Sequence, residues 1–336
     1  MTVSRFRLPG KNIPYVLKPG QGERRLVAGQ VIRTLAGEHE TGNHFGVVVS
    51  TCPQDPRPVP LHYHVHEHDT WFCLTGNLQV FIGDQSRHMR GGDFAYVKPG
   101  DVHSYQSHRE CTEFFGIVLP GSWVEFFAAA GDDWDDEAYP APGTVPFDFP
   151  KMLAAMGKYD VNLVRDAAYG APKLDAVDRT LPGAHQSYFL ESRHGVRHLL
   201  GSHISFLQAG GTETNGRFSL RVIEGRRGSE IPRHVHANAH EVIYVLHGLL
   251  EVEFNGETHS VPAGGMVSLS SGAEHFTRVT GDRTSWISAH SDPSADLLFE
   301  KAGVPTERFM NPADTAAVPG KDALNELCAG TDIRFL

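Results

Sequence analysis

An internal repeat limits the fold of this chain more than any other feature of its sequence. The segments HYHVHEHD and HVHANAHE each contain an HxH pair with a carboxylate five residues later, and a further histidine follows in each copy. Corresponding residues in the two copies lie 172 positions apart. The two sets are His62, His64, Asp69 and His103, and His234, His236, Glu241 and His275. We therefore predict two domains of the same structure.

The repeat also extends upstream of these motifs, where the offset becomes 173. Tyr15 matches Tyr188, and Leu17 matches Leu190. One residue is therefore lost in the variable, Pro-rich stretch 49–60, which we predict to be a loop.

The residue types in each copy are those of a metal site. Two histidines separated by one residue on a strand point to the same face, and the carboxylate returns to that face across a turn. Three neutral nitrogens and one anionic oxygen suit a borderline divalent metal such as Fe, Mn, Co or Ni. A single HxH pair carries little information among 20 histidines, but chance does not explain four ligands repeated at one offset. We therefore predict two metal sites.

The spacing of the motifs resembles that of a known family. The pattern HxH, four residues, a carboxylate, six residues and Gly, followed by Gly, a short strand and PGDVH, resembles the two motifs of the cupin superfamily. Two copies resemble a bicupin. The segments IPYVLKPGQGERRLVAGQ, HDTWFCLTGNLQVF, GDFAYVKPGDVHSYQ and PGSWVEFFAAAGD resemble the quercetin 2,3-dioxygenases, and the resemblance covers nearly the whole chain. Asp69 departs from the customary Glu, and Lys98 and Ser270 stand where the second motif usually has Pro.

This resemblance implies an all-β fold with two cupin domains, which are jelly-roll β-barrels, and with short helical connecting and C-terminal segments. We place the N-terminal domain and its linker helices at residues 1–150, beginning with an arm at 1–25. The C-terminal domain with its helical tail is placed at 151–336. The apolar spacing of SWVEFFAAA (122–130) predicts a helix, and a second helix is predicted over 148–158 with Asp148 as its N-cap.

The resemblance also implies an activity. A metal-dependent dioxygenase would cleave the heterocyclic ring of a flavonol such as quercetin with O2, giving a depside and CO. The substrate would lose its hydroxyl proton to the motif carboxylate and react as an enolate, which makes Glu241 and Asp69 the catalytic residues. The expected cofactor is a divalent transition metal, with Fe(II) or Mn(II) placed before Ni(II) or Co(II).

Three other functions use the same ligands. A related bicupin oxygenase would act on another enolisable aromatic or polyketide, a manganese bicupin decarboxylase would act on oxalate in a small polar pocket, and a non-catalytic bicupin would only bind metal. The sequence also leaves open which of the two copies is catalytically active. Asp is shorter than Glu by about 1.5 Å, so Asp69 would bind after a backbone shift, bind through water, or leave three histidines. However, the first copy carries the closer likeness around its site.

Composition excludes several partners. The formal net charge is −10, from 40 acidic and 30 basic residues, and no long Lys/Arg run occurs, which argues against nucleic acid and anionic membranes. The four cysteines are widely spaced and are predicted to be reduced thiols. No signal peptide or long apolar stretch is visible, so we expect a cytoplasmic enzyme with a small aromatic substrate, and a homodimer as the candidate assembly.

Overall fold

The computed structural model describes residues 6–173, 176–312 and 317–336. Residues 1–5, 174–175 and 313–316, which the sequence analysis assigned to the N-terminal arm, the second domain and its tail, lie outside the described residues. The chain divides into two compact units. Unit 1 contains residues 1–11, 22–182 and 186–192, and unit 2 contains residues 12–21, 183–185 and 193–336.

Short antiparallel strands make up most of both units. In the first half of the described chain they are β1 (Tyr15–Leu17), β2 (Glu23–Val27), β3 (Gln30–Ala36), β4 (Gly46–Cys52), β5 (His62–Tyr63), β6 (His68–Thr75), β7 (Leu78–Ile82), β8 (Gln85–Met89), β9 (Phe94–Val97), β10 (His103–Ser107), β11 (Thr112–Leu119), β12 (Asp132–Asp133) and β13 (Asn162–Leu163). In the second half they are β14 (Tyr188–Leu190), β15 (Val196–Leu200), β16 (His203–Ala209), β17 (Ser219–Arg226), β18 (Glu230–His236), β19 (Glu241–His247), β20 (Leu249–Phe254), β21 (Glu257–Pro262), β22 (Met266–Leu269), β23 (His275–Val279), β24 (Arg283–His290), β25 (Val304–Pro305) and β26 (Ile333–Phe335).

The helices are short and lie outside the sheets. They are α1 (Glu38–Thr41), α2 (Glu125–Ala130), α3 (Phe149–Lys158), α4 (Leu298–Ala302) and α5 (Lys321–Leu327), with 3₁₀ turns at Gly121–Val124, Ala176–Arg179 and Pro293–Asp296. Both predicted helices are present. Asp148 caps α3 by accepting a hydrogen bond from the Lys151 backbone N–H. Among the described residues, no helix is long and apolar enough to cross a membrane.

Each unit contains one sheet of eight strands and one of five. In unit 1 the orders are β12-β2-β3-β4-β11-β6-β9-β14 and β13-β5-β10-β7-β8. In unit 2 they are β1-β22-β19-β24-β17-β16-β15-β25 and β21-β20-β23-β18-β26. Side chains from both sheets of a unit share one apolar core, as Trp71 and Val80 do in unit 1 and Ile243 and Val252 do in unit 2. The predicted all-β fold with two barrels and short helical segments is confirmed.

The matching strands β1 and β14 occupy exchanged positions in the two units. β1 belongs to the first sequence repeat but pairs with β22 in unit 2, where Leu17 is buried. β14 belongs to the second repeat but pairs with β9 in unit 1. Each unit therefore uses an edge strand that comes from the other repeat.

The sequence-based boundary at residue 150 lies inside unit 1. Residue 150 is in α3, whose Ala155, Met152 and Met156 pack in one apolar cluster with Phe126 of α2 and with residues of β4 and β11. The connecting segment continues to add to unit 1 through β13, which pairs with β5. We therefore propose the segment 182–193, where the chain passes between the units, as the boundary.

Candidate metal centres

The second copy of the motif brings its four predicted residues together. His234 and His236 lie on β18, Glu241 begins β19, and His275 begins β23. Pairing of β18 with β23 places His234 opposite His275. One nitrogen or oxygen from each of the four buried side chains falls within 4.8 Å of all the others. This centre therefore has the composition that the sequence predicts.

The orientation of the imidazoles follows from backbone carbonyls. Nδ1 of His234 lies 2.7 Å from the Pro232 oxygen, and Nδ1 of His275 lies 3.0 Å from the Ala273 oxygen. A carbonyl oxygen only accepts, so each Nδ1 carries the proton and each Nε2 presents a lone pair. His62 and His103 make the same contacts with Pro60 and Asp101.

These atoms fit a divalent metal ion. The buried Nε2 atoms of His236 and His275 and Oε2 of Glu241 have no hydrogen-bond partner among the described residues. Oε2 of Glu241 lies 3.4 Å from Nε2 of His236 and 3.0 Å from Nε2 of His275. Buried polar atoms rarely lack partners, and histidine with carboxylate is a donor set for first-row divalent ions. The cluster could hold such an ion.

The first copy is less regular. Ligand nitrogens of His62, His64 and His103 fall within 4.8 Å of one another. Asp69 Oδ2 lies 3.4 Å from Nε2 of His64 and 3.2 Å from Nε2 of His103. Among the described residues, however, Asp69 does not join all three histidines in one such group. The shorter side chain thus reaches two imidazoles of the three, although it points into the centre.

The charges at both centres suit metal binding. Burial would raise the pKa of Glu241, but the imidazoles of His290, His236 and His275 hold it well below its usual value. The pKa of Asp69 is likewise lowered against its burial by His103 and His64. Burial and neighbouring imidazoles lower the pKa of His62 to about 3, so this ring is neutral at pH 7. Anionic carboxylates and neutral imidazoles are the ligand-competent forms.

The structure also shows residues near the centres that the sequence analysis missed. Asp160, between α3 and β13, accepts hydrogen bonds from the backbone N–H groups of Val65 and His66, and its carbonyl oxygen lies 2.7 Å from His64 Nδ1. Asp332, 172 residues later, accepts from the backbone N–H groups of Asn238 and Ala239. Each aspartate holds the turn after an HxH pair. Extending the repeat offset into the connection and the tail would have identified both.

Two further buried residues distinguish the centres. Glu67 in unit 1 has an oxygen 3.4 Å from His64 Nδ1, and its pKa is raised well above the usual value by burial and by Asp69. Its counterpart in the second copy is Ala239. His290 in unit 2 lies beside Glu241, where the first copy has Val118. Because each occurs in one copy alone, a comparison of the repeats would have singled them out.

The neighbouring histidines of the first motif point elsewhere. His66 is exposed, and His68 pairs with the Tyr96 hydroxyl at 2.7 Å. Trp71 lies two residues after Asp69 on β6, and its ring centroid is 5.5 Å from that of His103. Trp123 packs edge-on against His64 with 5.2 Å between centroids. Aromatic rings therefore flank the first centre on two sides.

Comparison with known proteins agrees with this architecture. The family model described as Cupin domain matches residues 53–114 and 222–289, one match in each unit. Among solved structures, oxalate decarboxylase from Bacillus subtilis superposes with a TM-score of 0.53 at 15% identity, covering 86% of this chain and 78% of that one. Procruciferin, an 11S globulin from Brassica napus, gives a TM-score of 0.55 at 12% identity, covering 84% and 85%.

The repeated fold and its two histidine-rich centres define the protein as a bicupin, with one cupin domain in each unit. Within the bicupins, the chain is similar to the quercetin 2,3-dioxygenase of Bacillus subtilis. The two are 25% identical over 319 residues, which cover 94% of each protein. The resemblance to bicupins and quercetin 2,3-dioxygenases that the sequence motifs indicated is confirmed.

Proposed function

We propose that this bicupin is a metal-dependent dioxygenase that cleaves the heterocyclic ring of a flavonol such as quercetin with O2, giving a depside and CO. The full-length similarity to quercetin 2,3-dioxygenase is the observation that carries this proposal. The expected cofactor is Fe(II) or Mn(II), with Ni(II) or Co(II) as alternatives, held by His234, His236, Glu241 and His275 in unit 2 and by His62, His64, Asp69 and His103 in unit 1.

A divalent ion in such a centre would supply Lewis acidity that makes a substrate hydroxyl easier to ionise. The protein supplies the rest of the chemistry. Asp69 and Glu241 are anionic at pH 7 because imidazoles lower the pKa of each carboxyl group. Each carboxylate is thus in the unprotonated form that can accept the hydroxyl proton of the substrate, but its lowered pKa makes it a weak base, so the metal would have to make that hydroxyl more acidic. Loss of the proton leaves electron density on the substrate that reacts with dioxygen. Ligation and proton acceptance would be functions of the same side chain.

The surroundings of the first centre favour an aromatic substrate. Trp123 and Trp71 flank His64 and His103, and Phe126 stacks on Trp123 with 5.0 Å between ring centroids. Aromatic side chains provide large, flat apolar contacts for a planar ligand. Oxalate is a small dianion that needs polar partners, so the apolar rings beside this centre favour an aromatic substrate over oxalate.

Carbon monoxide release tests the proposal directly. Metal-free protein is reconstituted in parallel with Fe(II), Mn(II), Co(II) and Ni(II), and quercetin is added while CO and O2 are measured. We expect CO equal to the O2 consumed with at least one metal. Absence of CO from protein with measured metal content would reject quercetin as substrate, and other enolisable aromatic substrates would be tested next. Formate released from oxalate would support the decarboxylase instead.

A further inference from the structure

The two oxygens of the Glu241 carboxylate have different surroundings. Oε2 faces the Nε2 atoms of His236 and His275 and has no hydrogen-bond partner among the described residues. Oε1 accepts a hydrogen bond of 2.8 Å from the Ser288 hydroxyl, and Nε2 of His290 lies 3.5 Å from the same oxygen. One oxygen is thus held by protein, and the other is left for the metal.

Strand geometry places both groups beside Glu241. β24 pairs with β19, and the register sets His290 opposite Glu241. Ser288 and His290 are separated by one residue on β24, so their side chains share a face. Both are buried, which keeps water away from these contacts. A hydrogen bond to a buried carboxylate is stronger than one in water.

A buried ion pair stands behind His290. Nδ1 of His290 lies 3.9 Å from an oxygen of Asp296, which accepts a hydrogen bond of 2.9 Å from Arg221 Nε. Arg221 also donates to the Ser205 hydroxyl. Since Arg221, Asp296 and His290 are all buried, the arrangement has little freedom to move. The ion pair packs beside Nδ1 of His290 without a hydrogen bond to it.

The first unit has no donor at any of these positions. Ser288, His290 and Asp296 correspond to Gly116, Val118 and Val124 at the 172-residue offset, and Arg221 corresponds to Val48 at 173. Val48, Val118 and Val124 belong to one apolar cluster. None of these counterparts has a side chain able to donate a hydrogen bond to Asp69. The carboxylate of the first centre is therefore without this support.

We propose that Ser288 and His290 are positioning residues that hold Glu241 with Oε2 toward the metal, and so make the second centre the slower of the two to release its ion. This inference rests on the metal binding of the proposed function, but it does not depend on the substrate. Partners that orient a metal ligand typically change metal affinity by about 10- to 100-fold when removed.

Metal release in the absence of substrate tests the inference. Protein loaded with Co(II) is mixed with excess chelator, and loss of the Co(II) absorption is followed in time. We expect two phases in the unaltered protein. Ser288→Ala should increase the rate of the slow phase about tenfold or more. The double variant that adds His290→Val, the residue found at this position in the first unit, should increase that rate further. Ser288→Thr keeps the hydroxyl and should restore the slow phase.

Controls separate positioning from general damage. Val118→Ala, at the corresponding site of unit 1, should leave the slow phase unchanged. The Mn(II) electron paramagnetic resonance spectrum of the second centre should change in Ser288→Ala and return in Ser288→Thr. A single release phase in the unaltered protein would overturn the inference, and so would a slow phase that keeps its rate in Ser288→Ala. A failed quercetin assay would reject the proposed substrate and leave this result standing.

Discussion

At the scale of single residues, the repeat predicts the candidate ligands but not the residues that contact them. The eight predicted ligand residues follow from spacing alone, and the structure brings them to two centres. Their role as ligands remains a prediction. Glu67 and His290 occupy none of the ligand positions of the motif, and although comparison of the repeats marks them as unequal, their proximity to the centres depends on turns and strand pairing.

The carboxylates carry the first prediction. If each acts as ligand and base, the double variant Asp69→Asn with Glu241→Gln should lower kcat by about 10²- to 10⁴-fold, the usual contribution of a positioned base. The two single variants then show how turnover is divided between the centres. Steady-state CO release is measured with metal content. Glu257→Gln, on an exposed side chain, is the control. A double variant that keeps both metal and turnover would contradict the proposed chemistry.

His203 carries a prediction about pH. It is buried, and its pKa is lowered by burial to about 4, against 6.5 for an ordinary histidine. Between these values the unfolded chain binds a proton that the folded chain does not, so stability falls as pH falls. His203→Gln, which copies Gln30 of the first unit, removes this effect. From pH 7.5 to 5, the wild-type protein should lose about 2 kcal/mol relative to the variant.

Urea unfolding of metal-free protein at several pH values provides the measurement. The difference in unfolding free energy between the two proteins should change mainly below pH 6.5. A constant difference would mean that His203 is protonated in the folded state as readily as in the unfolded chain.

At the scale of elements, the connection and the tail are equivalent additions to the barrels. β13 pairs with β5 beside His62, and β26 pairs with β18 beside His234. The sequence predicted helical segments in both places, and each also adds a strand to the five-stranded sheet of its unit. It did not predict strands there, because β13 and β26 are too short to show an alternating pattern.

The two added strands differ in burial, so an alanine substitution in each strand gives a matched pair of variants. Phe335 is 2% exposed and its ring lies 5.6 Å from His234, whereas its counterpart Leu163 is 42% exposed. Phe335→Ala should therefore cost about 3–5 kcal/mol, and Leu163→Ala should cost less than about 1 kcal/mol. Denaturant unfolding of the metal-free protein measures both. Equal costs would show that the tail is not packed as described.

At the scale of the whole molecule, the sequence predicted two barrels but not the exchange of β1 and β14. The two strands match each other in sequence, so local pattern does not say which sheet each one joins. The predicted boundary at residue 150 differs from the proposed one at 182–193 for a similar reason. The connection has the composition of a linker, but its elements α3 and β13 contribute to unit 1. Tertiary packing decides both.

A substitution near the N-terminus should therefore weaken unit 2. Leu17 is 2% exposed and pairs with Met266 on β22, next to the strand that carries Glu241. Leu17→Ala should lower the free energy of unfolding by about 2–5 kcal/mol. It should speed hydrogen exchange in β19 and β22 and leave the exchange rates of β6 and β9 unchanged. Hydrogen exchange followed by mass spectrometry resolves these segments. Faster exchange in β6 and β9 alone would contradict the pairing.

The exchanged strands also have a consequence for synthesis. A growing chain makes β1 well before its partner β22, which appears about 250 residues later. At the synthesis rates of about 5–20 residues per second, β1 would wait roughly ten seconds or longer, depending on the rate. Unit 1 likewise stays incomplete until β14 has left the ribosome. Unit 1 can therefore close once residue 192 has been made, whereas β1 stays unpaired until β22 is synthesised. An unpaired strand exposes backbone groups that can pair with other chains, so this segment is the part of the nascent chain that most needs protection.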